Sequence, residues 1–235
     1  NAENTSSRAS QLDFMDGYGN GTFASDYVGW MWKRAPGFFD VVCFSGTGSS
    51  NAVAHNLTVS PEMLWIKHRS AAPYGNENWT VGVPTTNNPA KGLYLNTSSA
   101  FRSGNDDIES VSDSTFTVGS HPRSNSSGVD YIAYLFASVD NVSKVGSFSH
   151  TYGGTTNVDC GFTSGARFVL WKRTDGTRHW EVFDTTRGIV AGNDAYLRLS
   201  DTAAETSGDY IDPYSAGFSI GSALGTGEFI FYAIA

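Results

Sequence analysis

Charge is scarce in this chain. Of its 235 residues only 16% are Asp, Glu, Lys or Arg, and the balance is acidic, with a formal net charge of −8. A surface that tracks phosphates works by releasing counterions through clustered Lys and Arg, so this balance argues against nucleic acid as a partner. The densest basic group, Lys67-His68-Arg69, is too small to change that. Long apolar runs are missing too: none approaches the roughly twenty residues of a spanning helix, and no basic amphipathic helix is visible, so membrane insertion is not expected. Cysteine is nearly absent. The two present, Cys43 and Cys160, do not fall at equivalent positions of the repeat described below, which favours two small buried thiols over a disulfide and suits folding in a reducing compartment. Helical periodicity is lacking over any stretch of about ten residues. The five histidines, His55, His68, His121, His150 and His179, are scattered singly, and none has a second His or Cys at ligand spacing. No metal and no cofactor are therefore expected, and His55, in a probable turn with Asn56-Leu57, reads as a local hydrogen-bonding residue.

Aromatics and turn formers are what the chain has in quantity. Phe, Trp and Tyr make up 14% and glycine numbers 26, the composition of short strands joined by tight polar loops. One strand core recurs: Asp26-Tyr27-Val28-Gly29-Trp30-Met31-Trp32-Lys33, Asp130-Tyr131-Ile132-Ala133-Tyr134-Leu135-Phe136-Ala137, and Glu228-Phe229-Ile230-Phe231-Tyr232-Ala233-Ile234-Ala235. Each opens on an acidic residue and an aromatic and continues apolar, as a buried strand entered from a turn does. The copies lie about one hundred residues apart, a period that implies tandem domains, not a solenoid of short units.

Other blocks follow the same offset. Val41 pairs with Val145 and Phe44 with Phe148; Met63-Leu64-Trp65-Ile66-Lys67 matches Phe168-Val169-Leu170-Trp171-Lys172; Asn78-Trp79-Thr80-Val81 matches His179-Trp180-Glu181-Val182. The apolar runs ending in Lys67 and Lys172 read as central strands leaving the core at their basic residue. Leu93-Tyr94-Leu95 aligns with Leu197-Arg198-Leu199, an alternation with the period of a half-buried strand. The expected fold is all-β: two tandem antiparallel β-sandwich units, jelly-roll-like, at 38–137 and 143–235, preceded at 1–35 by the C-terminal remnant of another unit whose closing strand is Tyr27–Trp32. A single large jelly roll built from two half-copies is the second choice. The start inside a repeat suggests the C-terminal part of a longer polypeptide.

The ordered cores resemble a specific family. Phe39-Asp40-Val41-Val42, Phe44-Ser45-Gly46-Thr47-Gly48, His55-Asn56-Leu57, Pro61-Glu62-Met63-Leu64-Trp65-Ile66-Lys67, Phe116-Thr117-Val118-Gly119 and Tyr131-Ile132-Ala133-Tyr134-Leu135-Phe136-Ala137 resemble a tandem β-repeat domain of uncharacterised function. That domain is found in tail-fibre-like and other virion structural proteins of tailed bacteriophages. Gly165-Ala166-Arg167-Phe168-Val169-Leu170, Tyr196-Leu197-Arg198-Leu199 and Asp209-Tyr210-Ile211-Asp212-Pro213 are similar to its usual C-terminal copy. The resemblance implies a virion location after folding in the host cytoplasm, with a tail-fibre, appendage or capsid-decoration role. It also implies other virion proteins as partners and a homo-oligomer, expected to be a trimer. It carries over no catalytic or ligand residues.

The residues themselves offer few reactive constellations. Glu181 and Asp184 stand three apart, which puts their carboxylates on opposite faces of a strand, unlike the alternate-residue acids of sandwich glucanases; a solvated edge is the expectation, and no catalytic residue is assigned. Asn105-Asp106-Asp107 with Glu109 lacks the spaced acids of a calcium loop and reads as an exposed acidic loop. The six tryptophans include Trp30 and Trp32 on one face of the expected strand, Trp65 and Trp171 in apolar runs, and Trp79 and Trp180 at matched positions, all of which reads as core packing. Loop tyrosines Tyr74, Tyr152 and Tyr214 are the candidate ligand contacts. The leading expectation is a non-enzymatic phage structural protein contacting host-surface glycans. A lectin-like carbohydrate-binding module of a larger secreted protein is the alternative, and a glycan-degrading enzyme fragment comes third.

Overall fold

The computed structural model describes residues 29–69, 78–84, 92–102 and 107–235. The first half contains β1 (Phe39–Ser45), β2 (Asn51–Ala54), β3 (Met63–His68), β4 (Thr80–Gly82), β5 (Gly92–Tyr94), β6 (Ile108–Val111) and β7 (Thr115–Val118). A single helical turn, α1 (Pro122–Asn125), then precedes β8 (Asp130–Phe136). The second half contains β9 (Ser143–His150), β10 (Thr156–Asp159), β11 (Phe168–Arg173), β12 (Glu181–Asp184), β13 (Asp194–Arg198) and β14 (Thr206–Gly208). It ends with β15 (Ile211–Tyr214), β16 (Gly217–Ile220) and β17 (Gly227–Ile234).

These strands form four sheets, antiparallel at every pairing among the described residues. The large sheet of the first half runs β1-β8-β3-β4-β5 and that of the second β9-β17-β11-β12-β13-β14; the small sheets run β2-β7-β6 and β10-β16-β15. The register agrees as well as the order. Val41 faces Tyr134 as Val145 faces Tyr232, and Phe44 faces Tyr131 as Phe148 faces Phe229. β14 has no counterpart in the first half among the described residues.

The apolar residues fall into three clusters, and alternation along the central strands explains why. In β8, Tyr131, Ala133 and Leu135 join Leu64, Ile66, Phe116 and Val118 in a core against the first small sheet. Tyr134 and Phe136, pointing the other way, join Trp65, Leu170, Trp180, Ile230 and Tyr232 in a core between the two large sheets. In β17, Phe229, Phe231 and Ala233 turn toward the second small sheet, where Trp171, Phe183 and Phe218 lie. The molecule is thus four stacked layers, small, large, large and small. The central strands β3, β11 and β17 are buried on both faces, which is why they read as unbroken apolar runs. Each large side chain shut into these cores contributes roughly 2 to 3 kcal/mol.

Three expectations need correction. Residues 29–34 are not a strand: Trp30 and Trp32 lie in irregular backbone that crosses from Phe39 toward Phe168, held by the Arg34 guanidinium on Asp40 and by Ala35, whose backbone pairs with Phe39. The remainder of the segment taken for a preceding unit lies outside the described residues. Lys67 and Lys172 do not mark an exit from the core; both are buried, and the loop that follows β5 meets the Lys172 ammonium through Ser98 O. Of the cysteines, only Cys160 is buried, its thiol pushed up to about 12 by burial; Cys43, on the edge strand β1, is exposed, and both are free thiols.

Candidate functional site

A concavity lies on the face of the first large sheet that looks toward the second. Strand pairing places Val41, Tyr134 and Trp65 in one cross-strand row and Phe39, Phe136 and Met63 in the next. Trp79, just before β4, and Leu95, just after β5, extend this surface; the backbone N–H of Leu95 donates to Trp79 O at 3.0 Å. Trp79 is further held by its backbone N–H donating to Asn96 Oδ1 at 3.0 Å, while Asn96 Nδ2 donates to Asn78 Oδ1 at 2.9 Å. With Trp30 and Trp32 these side chains line a cleft of about 610 Å³, within the range of small-molecule sites.

Its floor and rim differ in burial. Phe39, Trp65 and Phe136 are buried, whereas Trp30, Trp32, Val41, Trp79, Leu95 and Tyr134 are half-buried. Trp65 packs on Phe136 at 4.5 Å between centroids, and Trp79 on Tyr134 at 6.0 Å. Trp32 sits edge-on to Trp65, Phe136 and Phe168 at interplanar angles of 86°, 81° and 88°, so that ring edges meet ring faces. The indole N–H groups of Trp30, Trp32 and Trp65 have no hydrogen-bond acceptor among the described residues. The Tyr232 hydroxyl lies beside Trp32 without the geometry of a full hydrogen bond; burial raises its pKa, and Trp32 works weakly the other way. Burial also raises Tyr134. Among the described residues no charged side chain lines the cleft.

The tyrosines selected from the sequence are not brought together. Tyr74 lies outside the described residues. Tyr152 is 69% exposed, with its backbone N–H donating to Thr226 Oγ1 at the Ile220 end of the second small sheet. Tyr214 pairs with Gly217 at the opposite end of that sheet and lines a separate hollow of about 340 Å³ with Ser164, Thr185 and Ile189. Ile189 holds a φ of 86°, rare for a β-branched residue; it is fixed by the buried Asp194, whose Oδ1 accepts from the backbone N–H of Ile189 and Val190 at 2.8 Å each.

The paired acids occupy opposite faces of β12, yet Glu181 is no solvated edge residue. It is 2% exposed and accepts from Trp171 Nε1 at 2.7 Å and Arg178 Nε at 2.9 Å. Asp184 accepts from the backbone N–H of Thr186 and Arg187 and pairs with the Arg187 guanidinium, closing a turn. Asp107, expected in an exposed loop, is fully buried beneath Arg102 at 2.9 Å; Asn105 and Asp106 lie outside the described residues. Glu109 is exposed and accepts from Ser50 Oγ. His55 bonds locally, its Nδ1 accepting from Leu57 N at 3.2 Å and its Nε2 lying 3.1 Å from Ser112 O. His150 is 3% exposed, and burial depresses its pKa. Among the described residues no group of three or more His, Cys, Asp or Glu is placed to hold a metal, and no helix is long and apolar enough to cross a membrane.

The fold and the site together define a layered, all-antiparallel β-protein carrying a neutral aromatic cleft. Residues 4–235 match the family described as Domain of unknown function (DUF7483), and the chain belongs to that family. The match runs through both halves, and the description assigns neither an activity nor a place in a virion. No curated protein and no solved structure matches the chain.

Proposed function

We propose that this chain is a non-enzymatic structural component of a bacteriophage particle, a tail-fibre, appendage or capsid-surface element that contacts host-surface glycans. The supporting observation is the interior held in common by the two halves. Phe136 of the first large sheet packs on Tyr232 of the second at 4.9 Å, and Trp180 Nε1 donates to Tyr94 O at 2.7 Å. A chain closed face to face in this way resists bending between its halves, which suits a part that bears load or displays a surface. The acids that could do chemistry are engaged in that scaffold, Glu181 by Trp171 and Arg178 and Asp107 by Arg102. This favours the structural reading over a glycan-degrading fragment. In this reading the chain assembles as a homo-oligomer, a trimer, with other virion proteins.

The aromatic cleft specifically favours the second reading, a lectin-like module of a larger secreted protein. Antibody labelling and mass spectrometry of purified particles separate the two. The structural reading expects the chain at fixed copy number on washed particles, with a trimer mass in solution by light scattering. Absence from particles, with recovery in a secreted fraction, would sink it.

A further inference from the structure

We propose that the aromatic cleft is a binding site for a neutral saccharide, with sugar C–H faces stacked on the open rings of Trp79 and Tyr134. This rests on the glycan-contacting part of the function proposed above and places it on residues other than the loop tyrosines.

Comparison of the two halves carries the inference. Under the shared register, Tyr134 corresponds to Tyr232 and Trp65 to Leu170, and Trp79 and Trp180 make the same backbone contact with Leu95 and Leu199. In the second half these side chains are shut away: Tyr232 and Trp180 are fully buried and Leu170 is 1% exposed. In the first half Tyr134 and Trp79 are half-buried around an open volume of about 610 Å³. An aromatic row that served packing alone would be covered in both halves, as its counterpart is.

The lining selects the ligand class. Seven of the nine lining side chains are aromatic and two aliphatic, so the cleft offers flat π faces, not the flexible aliphatic wall that suits an alkyl chain. No described lining residue is charged, which disfavours anionic or cationic ligands. Trp65, 8% exposed, forms the floor beneath the open rings, its indole nitrogen buried. The Tyr134 phenol gives the lining a polar group.

The test titrates the full chain with cellotetraose, maltotetraose and chitotetraose, and with 1-octanol as an apolar comparator, following tryptophan fluorescence and saturation-transfer NMR. At least one tetrasaccharide is expected to give a saturable change. Trp79→Ala and Tyr134→Ala should each weaken it about tenfold or more, the scale of one lost stacking contact, while Tyr152→Ala leaves it unchanged. Trp79→Phe, which keeps a ring, should retain most of the affinity and covers the case in which the alanine variant fails to fold. No saturable response at millimolar sugar, saturation by octanol alone, or equal affinity in folded Trp79→Ala overturns the inference. Because particle location is read separately, a chain present on particles but silent to every sugar would overturn the saccharide site and leave the structural role standing.

Discussion

Lys172 gives the sharpest handle on how the two halves are joined. Its side chain is fully buried, and its ammonium donates to Arg173 O at 2.6 Å and to Ser98 O of the first half at 3.3 Å. Burial lowers its pKa to about 8 from 10.5; Glu181 acts to raise it, while Arg173 and Arg178 push it further down. A base whose pKa is lower in the folded state than in the unfolded one is penalised while charged. The penalty is fully present below about pH 8 and fades as pH rises to the unfolded value, so that folded stability gains with alkalinity in that window. The interval from 10.5 to about 8 corresponds to about 3 kcal/mol in total, of which about 2 kcal/mol is regained between roughly pH 7.5 and pH 10. Lys172→Met keeps the volume and removes the titration. Urea unfolding followed by tryptophan fluorescence, run on both proteins across that range, should show wild type gaining about 2 kcal/mol on the variant. Taking the difference removes the tyrosines, which titrate in both proteins. A difference independent of pH would refute a buried, charge-penalised lysine and with it the loop contact between Ser98 and β11.

Two further substitutions probe the layering. Tyr232→Asp drives a charge into the interior between the large sheets and should cost about 4 kcal/mol or more, whereas Tyr134→Asp, at the open cleft, should cost about half as much or less; equal shifts in urea midpoint would contradict the asymmetry. A methyl on Gly46 would lie 2.1 Å from Ser126 O, so Gly46→Ala should cost about 2 kcal/mol or more. Gly225, with nothing within 4 Å of the same position, should tolerate alanine within about 0.5 kcal/mol by the same urea unfolding.

Much of the strand content was legible because it is written in local order. The acidic-aromatic entry of Asp130-Tyr131 and Glu228-Phe229 marks β8 and β17, and the paired Leu-x-Leu runs mark the strands beside β4 and β12. The offset that aligns Val41 with Val145 also describes how those residues pair across strands. The candidate site was far less legible. Matched tryptophans imply a core, and for Trp180 that is where the ring lies; Trp79 occupies the corresponding place and is half-buried. Trp30 and Trp32 sit two apart as strand residues would, yet they pack on Trp65 and Phe168, which are distant in sequence. Glu181 looked like an edge carboxylate because Trp171, whose indole N–H it accepts from, becomes its neighbour only when β11 and β12 pair.

The amino-acid order alone determined that this is a β-protein with central strands apolar on both faces, since period-two alternation and turn chemistry act between near neighbours and need no partner to be read. Which sheet face meets which was decided only by the assembled layers. Two rows of similar residues face the same interior, yet one is covered and the other stands partly open, because coverage depends on how two sheets are placed against each other, and no single strand encodes that.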